Sequence, residues 1–221
     1  MSLRVRAAPL HANPTLFCVS VATGLYAKGV AAAARGEPRA SLAARVAAFE
    51  TAASAVPPTR SVFNNTCVAI LGVAVKVLRG ETAFRSGDIA GGLGFLRAAV
   101  ARSDALAYDE PPGWMTPARH ALGALLLEAG RVAEALDVFR TDLGDAPGCV
   151  PQTSHPKNVY ALHGLMECLS RAAGGGAGGE EGSGDGGSKL AAAVEAARAR
   201  LAAAQALADA PVAAACACRR P

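Results

Sequence analysis

The sequence predicts an all-α protein, a right-handed α-solenoid of about four helical hairpins. Three observations lead there. Apolar residues make up 52% of the 221-residue chain but aromatics only 5%. Much of the apolar share is alanine, as in the runs Ala31–Ala34 and Ala191–Ala193. Small, unbranched side chains favour helices in close contact over a sheet built on β-branched residues. Secondly, glycines recur in pairs seven residues apart: Gly29 with Gly36, Gly80 with Gly87, Gly123 with Gly130. A helix–turn–helix unit reads this way when one glycine lets two helices approach and the next sits at the turn. Thirdly, the stretches flanking these glycines carry apolar residues at helical spacing. A single such pair cannot bury its own apolar face, so the hairpins must stack.

Residues 1–13 read as an N-terminal extension and 14–221 as the repeat domain, with hairpins near 14–56, 64–106, 116–147 and 157–210. The first is organised around Gly29 and Gly36 and is joined to the second by Pro57-Pro58. The second begins near Asn64–Thr66, and Ile89, Leu93, Leu96 and Val100 form the stripe of its second helix. The third is the clearest. Thr116 is the expected N-cap and Pro117 the first helical residue, where a missing N–H is harmless. Ala118, Leu122, Leu125, Leu126 and Ala129 follow at helical spacing, and Gly130 closes the helix. Val132, Ala135, Leu136, Phe139 and Leu143 then form a second stripe, which ends before Pro147-Gly148. The fourth hairpin starts near Lys157 and is interrupted by 172–188, a tract of Gly, Ser and Glu with the composition of a flexible insertion. It resumes with Leu190, Val194, Ala197, Leu201, Ala204 and Leu207, and a tail occupies 211–221.

Leu122-Gly123, Ala135, Phe139 and Pro147 stand in the register of a tetratricopeptide repeat, and the Thr116–Cys149 unit resembles that family. Three further stretches look like a group of uncharacterised tetratricopeptide-containing proteins: Pro57–Arg60 with Phe63–Cys67, Tyr108–Gly123, and His155-Pro156 with Asn158–Leu165. The pair Cys216 and Cys218 looks like the same group's. This resemblance implies a helical repeat fold and supplies no reaction. Members of the group tend to be longer at the N-terminus, which makes this chain look like a shortened array. Pro112 departs from the aromatic common there and weakens any role for an aromatic pair with Trp114.

Charged residues are 18% of the chain, with a net charge of +4 and no basic block, so neither nucleic acid nor a membrane is an expected partner. The longest strongly apolar run, Cys67–Val75, is far shorter than the ~20 residues of a spanning helix. A cytoplasmic location is expected; the acid-free stretch before Glu37 leaves organelle targeting as the other reading. The six cysteines follow no zinc-ribbon or disulfide spacing, and reduced, mostly buried thiols are expected.

The leading expectation is a non-catalytic adaptor that holds a protein or peptide and needs no cofactor. By the repeat register, Glu81, Arg85, His120, Glu128 and Asn158 should face its concave groove. The most unusual local sequence is Asp109-Glu110-Pro111-Pro112-Gly113-Trp114, which precedes a helix carrying Arg119 and His120. It reads either as a ligand site, with Asp109, Glu110, Trp114, Arg119 and His120 as contacts, or as a fastened connection in which an acid pairs with Arg119. The alternative to an adaptor is a protein that binds a metal or small ligand. It would use His120, His163, Cys216 and Cys218, with His155 and Cys168 also in reach if the tail folds back. No nucleophile–base pairing or phosphate loop is evident, so an enzyme is not expected.

Overall fold

A computed structural model describes residues 13–147, 149–174 and 185–216. These form eight α-helices and one minimal hairpin of two-residue strands. The chain divides into two compact units, one ending at Met115 and the other beginning at Thr116.

In the first unit α1 (Cys18–Arg35) pairs with α2 (Arg39–Ser54), and α3 (Cys67–Arg85) with α4 (Ile89–Asp104); α1 and α2 also pack on α3. Strands β1 (Ser61–Val62) and β2 (Asn65–Thr66) form an antiparallel turn just before α3. In the second unit α5 (Ala118–Glu128) pairs with α6 (Val132–Leu143), and α7 (Val159–Gly174) packs on α5, α6 and α8 (Asp185–Gln205). The expected insertion shrinks at both ends, because Ala172–Gly174 are helical and α8 starts at Asp185; residues 175–184 lie outside the described residues.

The paired glycines divide their work as their spacing implies. Gly36, Gly87 and Gly130 have φ of 71°, 92° and 73°, a left-handed conformation that reverses the chain after each first helix at no steric penalty. The earlier glycine of each pair lies at a helix crossing. A Cβ added to Gly80 would lie 2.6 Å from Leu96 Cγ, and one added to Gly123 would lie 2.4 Å from Phe139 Cζ. Leu96 stands to Gly80 in sequence as Phe139 stands to Gly123, so the two hairpins share one register. Gly29 and Gly164 differ. Gly29 faces Leu78 of the next hairpin, and Gly164 faces Phe139 of the preceding one. The Phe139 ring is therefore wedged between glycines of α5 and α7, and it is fully buried.

Helix starts follow local chemistry. Thr66 caps α3 by accepting from the Ala69 N–H, and Asp88 caps α4 through Gly91. The start of α5 departs from expectation: Pro117, not Thr116, precedes the first helical residue, because its ψ of 124° is extended. Glu37 anchors the start of α2. Ser41, Arg35 and Arg45 bind its carboxyl and hold it down to about 2. Arg171 of α7 donates to the Leu127 carbonyl at the end of α5, one of the acceptors that a helix end leaves open. Leu207 lies beyond α8 and is 84% exposed, so it does not extend that helix's buried stripe.

Filling the crossing should therefore be costly while filling open space should not. Gly123→Val should lose about 1–3 kcal/mol through overpacking against Phe139. Gly94→Ala, in the middle of α4 with nothing near its added Cβ, should gain about 0.5–1 kcal/mol. Urea denaturation of the two variants checks both signs.

Candidate functional site

Two of the buried carboxylates, Asp109 in the first unit and Asp142 in the second, tie connections to helices or turns. In the second unit Asp142 lies in the last turn of α6 and is fully buried. Its register position corresponds to Ala99 of α4, which is equally buried. A carboxylate there lacks water and sits at the negative end of a helix, and both conditions oppose its charge. Two histidines compensate. His120 on α5 donates from Nε2 to Asp142 Oδ2 at 2.9 Å, and His155, in the connection before α7, donates from Nδ1 to Oδ1 at 3.0 Å. The His155 backbone N–H also donates to the Asp142 carbonyl, at 2.5 Å. Burial raises the Asp142 carboxyl, but the hydrogen bonds and charge of both imidazoles outweigh it and hold the group below its ordinary value. An ionised carboxylate only accepts, so the proton on each imidazole is placed at the nitrogen facing Asp142. The Tyr160 ring lies 6.1 Å from that of His120.

In the first unit Asp109 is buried against the β1–β2 turn. Asn64 Nδ2 donates to its Oδ1 and Asn65 Nδ2 to its Oδ2, both at 2.7 Å, while the Asn64 backbone N–H donates at 3.2 Å. Asn65 also pairs with Ala107 in both directions, donating to its carbonyl and accepting from its N–H. The segment after α4 is thus clasped to the turn before α3. Trp114 packs edge-on against Tyr26 with ring centroids 5.2 Å apart. Burial and then the charge of Glu81 push the Tyr26 phenol above its ordinary value.

These placements revise several expectations. Glu81 and His120 are buried rather than lining an open groove. Asn158 is a cap: its side chain accepts from the Tyr160 and Ala161 N–H groups at the start of α7. Arg85 is half-buried, its guanidinium 5.6 Å from the Phe84 ring centroid. Glu128 is exposed at the end of α5, and Arg119 is half-buried in its first turn. Glu110 is exposed and accepts the Tyr108 phenol. Asp109 fastens its connection to the β1–β2 turn through Asn64 and Asn65.

Cys18, Cys67, Cys149 and Cys168 are free thiols, as expected, whereas Cys216 is disulfide-bonded, and Cys218 lies outside the described residues. His163 is half-buried on α7, and the Cys168 thiol is pushed up to about 12, by burial first and the Glu167 charge second. Among the described residues no three His, Cys, Asp or Glu side chains are grouped to hold a metal ion. Asp142 itself was missed in the sequence, although it falls on the apolar stripe of Ala135 and Phe139. An acid on such a stripe is the signal that reveals it.

Compared with family models, with curated proteins and with solved structures, the chain matches none.

The Asp142 carboxyl lies lower in the folded state than unfolded, so its contribution is complete above the unfolded value near pH 4 and is lost as pH falls through the folded one. Asp142→Ala should cost about 2–4 kcal/mol at pH 7 by stranding two histidines, and this difference should shrink at pH 3. Denaturation at the two pH values checks it; an unchanged difference would mean that Asp142 acts by packing alone. Asp109→Ala should lose about 1–3 kcal/mol and red-shift Trp114 fluorescence as the 107–114 segment loosens, with helicity by circular dichroism retained.

Proposed function

We propose that the chain is a non-catalytic helical-hairpin scaffold of the tetratricopeptide type that binds a protein or peptide. The support from within the fold is the shared register of Gly80, Gly87, Gly92 and Leu96 with Gly123, Gly130, Ala135 and Phe139. One observation carries the binding role. Asp142 and His120 are buried and bonded to each other, and Asp109 is buried and bonded to the β1–β2 turn, whereas large apolar side chains stand exposed around the Asp109 clasp. Phe63 is 70% exposed and Met115 73% exposed there. Apolar surface gathered in one place marks an interaction site more often than scattered apolar residues do.

No helix among the described residues is long and apolar enough to cross a membrane, and the proposed partners are polypeptides. Affinity capture on the tagged full chain, read by mass spectrometry, tests the proposal. The expected result is a retained polypeptide that Phe63→Ser with Tyr108→Ser releases and Leu207→Ser does not. Identical retention by all three proteins would remove the clasp surface as the binding site and with it the observation on which this function rests.

A further inference from the structure

The apolar surface around the clasp has an unusual construction at its centre. Phe63 occupies the tip of the β1–β2 turn at φ 50°, a left-handed conformation that aromatic residues rarely adopt and that costs about 1–3 kcal/mol. Nothing in the core compensates, because the ring points outward and is 70% exposed. What holds the strained turn is Asp109, through the backbone and side chain of Asn64 and the side chain of Asn65. A buried carboxylate, two asparagines and a strained backbone thus combine to fix one exposed ring in place.

Polar links around it bring further exposed apolar residues to the same end of the unit. Val62 precedes it on the turn. Asn64 Nδ2 donates to the Tyr108 carbonyl, which sets Tyr108 beside the turn. Gly113, two residues before Met115, lies against Asn65, with an added Cβ 3.1 Å from its Nδ2. On the other flank Arg60 Nη1 donates to the Leu16 carbonyl at 3.4 Å, bringing Leu16 and Phe17 to the same end of the unit. Side-chain exposure runs from 41% for Phe17 to 73% for Met115 across these six residues. That leaves on the order of 600 Å² of apolar surface in the open, at the upper end of what monomers present.

Resting on the binding role proposed above, we infer that this face pairs with the same face of a second copy of the chain. Two observations select that occupant. The area approaches the about 800 Å² per partner that a stable specific interface buries, and the polar rim supplies the remainder. The rim also carries both signs of charge, with exposed Arg60 on the Leu16 flank and exposed Glu110 on the Tyr108 flank. A two-fold axis near Phe63 sets Arg60 of one copy opposite Glu110 of the other, so the face is complementary to itself. Pre-fixing Phe63 removes the ordering penalty that a mobile aromatic would meet on association.

Sedimentation of the purified full chain from about 1 to 100 μM tests the inference. The expected mass is twice that of one chain. Phe63→Ser and Tyr108→Ser should each weaken the dimer at least tenfold with helicity by circular dichroism unchanged, and Leu207→Ser, exposed in the other unit, should leave it intact. A chain that is monomeric throughout that range overturns the inference, as does a dimer indifferent to both Phe63→Ser and Tyr108→Ser. The two proposals fail separately. A monomer that retains another polypeptide through Phe63 overturns self-association and leaves the scaffold standing, whereas a monomer that retains none through this face overturns both.

Discussion

The fold depends on a steric constraint: where two helices cross, one must be bare so that the other can be bulky. Gly80 admits Leu96, Gly29 admits Leu78, and Gly123 and Gly164 together admit the ring of Phe139. An alanine-rich chain with few aromatics has little large apolar surface to bury, so each large side chain must be used fully. Bringing the bare backbone of Gly123 and Gly164 against the outer ring atoms of Phe139 achieves this at the junction of α5, α6 and α7. Dispersion contacts there replace the volume that bulkier neighbours would have supplied.

That constraint is also why so much of the fold was legible in the sequence. A glycine spaced seven residues from a second glycine has two separate consequences, a bare crossing and a left-handed turn, and both left residues that can be counted. The partner of each crossing glycine was less legible. Gly29 and Gly164 sit in the same sequence context as Gly80 and Gly123, yet they pack between successive hairpins rather than within one. Periodicity defines a face but does not say which neighbour covers it. The β1–β2 turn was invisible for a related reason: Asn64 and Asn65 carry no strand signal, and their order comes from Asp109, distant in sequence.

The candidate site was less legible than the fold. The histidines drew attention as possible ligands because they are rare and chemically versatile, but the residue that governs His120 and His155 is an acid hidden in an apolar stripe. Asp142 and Asp109 solve the same problem differently. Both are carboxylates removed from water, which is unfavourable unless every oxygen is satisfied. Asp109 relies on neutral amide donors from two asparagines. Asp142 relies on imidazoles, whose charge adds to the hydrogen bonds and offsets the negative end of α6.

The two acids therefore divide structure from presentation. Asp142 joins α5, α6 and the connection before α7, and removing it would disturb the packing of its unit. Asp109 joins a turn to a connection, and both also serve the helices: Thr66 of the turn caps α3, and Trp114 of the connection packs on Tyr26 of α1. Its geometric product is the strained turn that carries Phe63. A fold selected for stability alone would relax that turn, because a left-handed aromatic residue with no burial in return is a net loss within the monomer. The hydrogen bonds from Asn64 and Asn65 to Asp109 hold the turn, and a contact buried on association would add the apolar transfer energy of the ring. From the interior outward, the buried carboxylate explains the turn, the turn explains where the exposed ring stands, and that ring is what the proposed partner would cover.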